Sequence, residues 1–169
     1  MINSAPRSGG KYKQGLFTPK NKMKVIKLNG KGGLYYRSGL EEKMMTYLDQ
    51  NPAIIRWSAE WIQIPYLKKT WNAQLQSFIE TSHTYYPDFY YEILLKDNTT
   101  RKVVAEVKPD SETRPPIIKE NMNAKQLKNL EYSLKMYNAN MSKWKYMIEY
   151  CERKGFEFII LTEKHINRK

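Results

Sequence analysis

The chain is short of cysteine, histidine and acid, and each shortage removes a class of function. A single cysteine, Cys151, leaves no internal disulfide framework and no cysteine-built zinc site. It follows Trp144, Met147 and Ile148 at helical spacing, so it is expected in the core. The two histidines, His83 and His165, stand far apart, which argues against a histidine-built metal or nucleophilic centre. No apolar run approaches the roughly 18 residues of a membrane span. No apolar segment followed by a small-residue cleavage site opens the chain, so no secretory signal is expected. A protein made and kept in a reducing compartment, away from membranes, fits these absences.

Acid is the most informative shortage. Lys plus Arg number 29 and Asp plus Glu 17 in 169 residues, a net charge of +12. Such an excess points to a polyanionic partner. Nucleic acid comes first; an acidic protein surface or anionic lipid stays open on charge alone. Residues 1–33 hold no acid at all, but carry Arg7, Lys11, Lys13, Lys20, Lys22, Lys24, Lys27 and Lys31, with six glycines and two prolines. They read as a basic, flexible arm with a short strand at residues 25–28. The arm either solubilises the chain or tracks phosphates and docks a partner.

With 41% hydrophobic residues the remainder suffices for one domain with a real core. The folded part is expected from Leu34. Ser38 and Glu41 have capping-box spacing, which predicts a helix from Gly39 to Gln50, stopped by Asn51–Pro52. Residues 54–66 alternate and read as a strand or broken strand, while 67–83 give no clear pattern. Residues 85–96 and 101–108 read as two strands of a hairpin turning at Asp97–Asn98. A loop containing Pro115–Pro116 follows, then helices over 123–137 and 140–154, the second ended by Gly155. Residues 156–161 form a short apolar strand expected at the centre of a sheet. The whole is an α/β sheet with helices packed on it.

The chemistry sits at the end of the second hairpin strand. With a period of two, Val103, Ala105 and Val107 share one face, and Val104, Glu106 and Lys108 the other. A carboxylate and an ammonium side by side on a largely buried strand need a reason. It is either a salt bridge at a sheet edge or a metal-binding acid beside a water-positioning lysine. Asp88, after Pro87 on the preceding strand, can lie next to Glu106. Two close carboxylates raise each other's pKa unless a cation sits between them, and oxygen ligands suit Mg²⁺ or Mn²⁺. On the first helix Glu41 borders the apolar stripe of Leu40, Met44, Tyr47 and Leu48, whereas Glu42 points to solvent. Glu41 either closes the capping box, reaches the site, or does both. The tyrosines, including Tyr85, Tyr86, Tyr90 and Tyr91, are able to stack on bases, but in strands they more often pack.

Pro87–Asp88 followed by Glu106–Val107–Lys108 resembles the signature of the PD-(D/E)xK, restriction-endonuclease-like nucleases. The order Arg37–Ser38–x–x–Glu41, Tyr86–Pro87–Asp88–Phe89 and Glu106–Val107–Lys108–Pro109 is similar to the three blocks of the TnsA-like branch. Lys143–Trp144 through Tyr150–Cys151, Gly155–Phe156–Glu157–Phe158 and Leu161–Thr162–Glu163 resemble its C-terminal block. With Trp57–Ser58–x–Glu60 and Ile64–Pro65–Tyr66, the likeness extends to the head completion nucleases of large contractile-tailed phages. It spans residues 34–165, and Glu60 is the departure whose role it leaves open.

The resemblance implies a mixed sheet flanked by helices over residues 34–169, beside the arm 1–33. It implies Glu41, Asp88, Glu106 and Lys108 as catalytic residues. Glu41, Asp88, Glu106 and the Val107 carbonyl become ligands for one or two Mg²⁺ or Mn²⁺ ions. Double-stranded DNA becomes the substrate, cut with little sequence specificity to leave 5′-phosphate and 3′-hydroxyl ends. Arg37, Lys11, Lys13, Lys20 and Lys22 are candidate phosphate contacts, Arg37 reading equally as a plain surface residue. Phage head, portal or neck proteins become partners, in the host cytoplasm during assembly or on the virion. Two alternatives stay open: a junction-resolving, repair or transposon-end nuclease of the same fold, and a non-catalytic basic adaptor of the virion neck.

Overall fold

A computed structural model describes residues 13–166. In chain order its elements are β1 (Gly15–Phe17), β2 (Leu34–Tyr36), α1 (Gly39–Gln50), β3 (Ile54–Ala59), β4 (Ile64–Asn72) and β5 (Ser77–Tyr85). They continue with β6 (Phe89–Leu94), β7 (Thr100–Val107), α2 (Ala124–Lys154), β8 (Glu157–Leu161) and α3 (Glu163–Ile166). The principal sheet has the order β3-β6-β7-β8. The first three strands are antiparallel neighbours, and β8 joins β7 in parallel because α2 carries the chain back across the sheet.

Strand parity sorts the core onto two faces. Val103, Ala105 and Val107 of β7 pack with Met44, Met45 and Leu48 of α1 and with Trp57 of β3. Val104 points the other way, among Trp144, Met147 and Cys151 of α2 and Tyr85 of β5. The expected mixed sheet flanked by helices is therefore present, and Cys151 is buried in its core. Burying each large apolar side chain contributes about 1.5–3 kcal/mol before entropy is charged against it. The helix ends follow their sequence signals. Ser38 Oγ accepts the Glu41 N–H at 3.1 Å, and Asn123 and Gln126 cap α2 reciprocally. Gly155 closes α2 at φ 65°, a conformation that glycine adopts without strain.

Several expectations need correction. Residues 123–137 and 140–154 form one helix of 31 residues, not two. No Pro or Gly interrupts α2, and asparagines cost a helix only tenths of a kcal/mol, roughly, relative to better formers. Residues 67–83, which gave no pattern, complete the β4–β5 hairpin, paired from Ile64↔Tyr85 to Asn72↔Ser77. Much of this hairpin stands in solvent, so no apolar alternation marks it, and Trp71 and Phe78 lie edge-to-face at its exposed tip. The expected strand over 85–96 is divided by Tyr86–Pro87–Asp88: β5 belongs to the hairpin and β6 to the principal sheet. β8 is an edge strand rather than a central one. It looks central in sequence because its two faces pack into different cores, Ile159 and Leu161 in one, Phe158 and Ile160 in the other.

The arm over residues 1–33 is also revised where it is described; Arg7 and Lys11 lie outside the described residues. From Lys13 onward the chain is laid onto the domain. β1 pairs with β2, and Phe17 meets Trp57 edge-on at 6.1 Å. The expected strand at 25–28 reduces to one bridge, Val25 to Trp57, beside a bond from Ile26 N–H to the Trp57 carbonyl. The anchor is Asp49, a carboxylate only 1% exposed at the far end of α1. It accepts the backbone N–H groups of Lys20 at 2.9 Å and Asn21 at 3.0 Å. A buried carboxylate must be satisfied, and this segment satisfies it. Asp49→Ala should therefore cost about 2–4 kcal/mol in urea unfolding and accelerate hydrogen exchange at the Lys20 and Asn21 amides. A variant as stable as the parent, with both amides still protected, would mean that other contacts hold the segment.

Candidate active site

The register of β6 on β7, Phe89↔Ala105, extended by one residue, sets Asp88 opposite Glu106. Pro87 ends the hairpin strand just before, so Asp88 leaves the ladder and turns one oxygen onto the next strand. Its Oδ2 accepts the Val107 N–H at 2.7 Å. Glu106 is 2% exposed and points, as its parity requires, to the α2 face. Its Oε2 accepts the Tyr85 hydroxyl at 2.5 Å, and its Oε1 lies 3.1 Å from Lys108 Nζ. Lys108 is fixed from behind by its own N–H, which donates to the Leu161 carbonyl of β8 at 2.9 Å.

Electrostatics tie these groups into one cluster. Burial raises Asp88 well above the usual carboxylate range, and the neighbouring Glu106 and Glu41 charges add to it, with Lys108 opposing. Burial pushes Lys108 down, but the Glu106 and Asp88 carboxylates outweigh it and hold the ammonium above its ordinary value. Tyr85 is raised by burial and by the Glu106 charge, so it remains a hydroxyl donor. Glu41 is half-buried and raised by burial, partly offset by hydrogen bonds from Arg37 N–H and Ser38 Oγ. Both readings of Glu41 are visible: it completes the helix start, and it lies within the field of Asp88 and Lys108.

The donors are all oxygen. Asp88, Glu106 and the Val107 backbone suit a hard divalent cation, and the strain that the Glu106 charge puts on Asp88 is what such an ion relieves. Among the described residues no three of His, Cys, Asp and Glu stand close enough together to hold an ion by themselves. The third acid, Glu41, has both oxygens turned to its own helix start. The arrangement thus fits a cation held by two carboxylates with backbone or water oxygens completing its shell.

Other expected residues are placed differently. Arg37 forms an ion pair with Glu60, its Nη2 lying 3.3 Å from Glu60 Oε2. Glu60, at φ 48°, donates its N–H to the Asp88 carbonyl at 3.0 Å, so the residue whose role was open braces the site. Lys13 pairs with Glu42 at 2.5 Å on the solvent side of α1. Lys20 docks its backbone at Asp49, eight residues from Glu41 and so about 12 Å along α1. Lys22 lies in the short 3-10 turn that follows. None of these three is gathered at the carboxylates by a described contact, and Lys11 lies outside the described residues. His83 packs on Tyr66, and the His165 Nδ1 accepts the Thr162 N–H at 3.1 Å.

Two members went unassigned in the sequence. Tyr85 orients Glu106. Lys143 of α2 lies over the Tyr85 ring at 5.5 Å and feels Glu106, Asp88 and Lys108, its burial pushing its pKa down. A signal existed: Lys143 falls on the stripe of Asn140, Trp144, Met147 and Cys151, where a lysine has no packing reason to be.

Comparison with known proteins places this chain in a family. The model of the TnsA-like endonuclease N-terminal domain matches residues 51–163. The head completion nuclease of Enterobacteria phage T4 is 29% identical over 150 residues, 88% of this chain and 90% of that protein. The matched stretch holds the principal sheet, α2, Asp88, Glu106 and Lys108, while Arg37 and Glu41 precede it. The mixed sheet with its flanking helices is restriction-endonuclease-like, and the chain belongs to the TnsA-like endonuclease family.

Proposed function

We propose that the chain is a divalent-metal-dependent deoxyribonuclease that hydrolyses phosphodiesters in double-stranded DNA and processes packaged DNA during phage head completion. The observation that carries the chemistry is the pairing of Asp88 with the buried Glu106 across β6 and β7, with Lys108 Nζ 3.1 Å from Glu106. The biological setting rests on the likeness to the T4 protein. A junction-resolving or transposon-end nuclease is the second reading, favoured by the family to which the chain belongs.

Asp88, Glu106 and the Val107 carbonyl would hold Mg²⁺ or Mn²⁺, with Glu41 reaching it through water. When bound, the ion supplies a more acidic water and neutralises charge on the scissile phosphate. Tyr85 fixes Glu106 by donating to Oε2, so its other oxygen is free to face Lys108. Lys108 orients the attacking water and stabilises the charge that builds on the phosphoryl oxygens. Water oxygen bonds to phosphorus as the bond to the 3′ oxygen breaks, and a proton passes to that oxygen. The products are a 5′-phosphate and a 3′-hydroxyl. Lys143, a second cation beside the carboxylates, attracts the phosphate without touching the reacting bond. Nothing in the cluster reads bases, which suits cutting with little sequence preference.

Purified protein should nick and linearise supercoiled plasmid with Mg²⁺ or Mn²⁺ and leave it intact in EDTA. Asp88→Ala, Glu106→Ala and Lys108→Ala should each lower the rate by about 10³-fold or more while DNA binding persists, since the three act as a unit. Lys143→Ala should cost about 10-fold. Plasmid left intact by wild type with both ions would leave a basic adaptor as the surviving account of the chain, and full activity in Asp88→Ala would overturn the role given to Asp88.

The raised Asp88 pKa makes a separate prediction about stability. Between its unfolded and folded values the native chain binds more protons at this group than the unfolded chain does. Its contribution therefore becomes less favourable as pH rises through that window. Asp88→Asn keeps the shape and removes the charge. In EDTA at neutral pH it should unfold at least about 2 °C above the parent, and the gap should narrow toward pH 4. An unchanged or lowered midpoint would show that the two carboxylates do not strain the native state.

A further inference from the structure

Beside the carboxylates, α2 and the loop after β7 enclose a cleft of about 330 Å³ that the proposed chemistry does not use. Its helical wall carries Tyr132, Ser133, Tyr137 and Asn140, and its loop wall Glu112 and Arg114. Asn140 is 2% exposed, and its Nδ2 has no hydrogen-bond partner. A buried amide donor without an acceptor is expensive, and native proteins seldom keep one without a use. Asn140 also sits mid-helix, where an apolar residue would pack at no such cost. An acceptor-bearing ligand in the cleft would settle the account.

The lining narrows what that ligand is. Two tyrosine rings offer flat faces, the amide and serine hydroxyl offer edge hydrogen bonds, and Arg114 offers a cation. An isolated phosphate would use neither ring. A planar heterocycle with carbonyl and ring-nitrogen acceptors, attached to an anionic chain, would use all of them. The cleft volume is within the usual range for small-ligand pockets, roughly 300–1,000 Å³.

Position supplies the second argument. Glu112 in the cleft lies close enough to Lys108 to act on its charge. Asn140 is one helical turn before Lys143, whose Nζ lies 5.5 Å over the ring of Tyr85, and the Tyr85 hydroxyl donates to Glu106 at 2.5 Å. The cleft therefore opens next to the place where a phosphodiester would be held. We propose that it is a base-binding subsite, receiving one unpaired nucleobase of the DNA strand adjacent to the scissile phosphate. The proposal rests on the nuclease reading of the neighbouring carboxylates. It adds that the preferred substrate has a single-stranded or splayed nucleotide at the cut, as at an end, flap or gap.

The test is made in EDTA, so that it is independent of cleavage. Fluorescence anisotropy would compare a fluorescein-labelled oligodeoxythymidine hexamer, an abasic hexamer with the same phosphates, and a blunt 20-base-pair duplex. Wild type should bind the base-bearing hexamer about 10-fold more tightly than the abasic one. Asn140→Leu and Tyr137→Ala should erase that preference and leave duplex affinity unchanged. Asn140→Leu should also melt no lower than the parent, because it removes an unpaired donor. Equal binding of both hexamers by wild type, or a preference surviving both substitutions, would overturn the base subsite while leaving the nuclease reading intact. Failure of wild type to bind any of the three would overturn both.

Discussion

The structure turns on the closeness of two acids that would rather be apart. Asp88 and Glu106 meet because β6 and β7 pair in one register and because Pro87 lets the chain step out of the ladder just before. Water cannot relieve the repulsion at Glu106, which is sealed under α2. Everything around them is arranged to tolerate it: Tyr85 donates to one acid, the Val107 N–H to the other, and Lys108 and Lys143 supply positive charge. The cation excess of the whole chain has its local counterpart here, two lysines facing acids that a metal would otherwise have to neutralise alone.

Those lysines were not equally visible in the sequence. Lys108 shares a strand with Glu106, so a period of two is enough to put them on one face. Asp88 needs only the hairpin between them. Helical parity separates Glu41 from Glu42, while its place at the third helical residue leaves cap and site acid both open; in the structure its carboxylate takes the Arg37 N–H and the Ser38 hydroxyl. Lys143 comes from more than thirty residues later, and Tyr85 from the far side of the Pro87 break. Their arrival depends on how α2 crosses the sheet, and no local pattern encodes a crossing. The same limit explains β8. A strand with two covered faces reads as central whether one or two neighbours flank it, because side chains report burial and not hydrogen-bond partners.

Charge pattern was the poorer guide at the N-terminus. A stretch with six glycines and no acid looks unable to fold on its own, and on its own it would not. Over its described part it folds as a guest, through a few specific acceptors. Asp49 takes two backbone N–H groups, Asn51 and Asp49 carbonyls take Lys24, and Trp57 receives Phe17 and Ile26. The information lay in α1, where an aspartate with no partner of its own stands among buried methionines, rather than in the basic stretch itself.

This division bears on how the site is built. The TnsA-like match begins at residue 51, so the sheet, its two acids and Lys108 form a unit that does not need α1 to be recognised. Yet the segment before residue 51 closes that unit. Glu41 adds a third carboxylate to the field, and Arg37 clamps Glu60, whose N–H holds the Asp88 carbonyl. Glu60 pays for this brace with a left-handed backbone, a conformation seldom adopted without a compensating contact. The carboxylate pair is thus set by strand pairing, and it is braced by a chain of contacts running from α1 through Arg37 and Glu60. A substitution at Arg37 has two routes to cleavage, through the position of Asp88 by way of Glu60 and through lost attraction for phosphate. The two accounts separate by salt. A lost phosphate contact flattens the salt dependence of DNA binding, whereas a loosened Asp88 leaves binding and its salt slope alone and lowers only the rate of cutting.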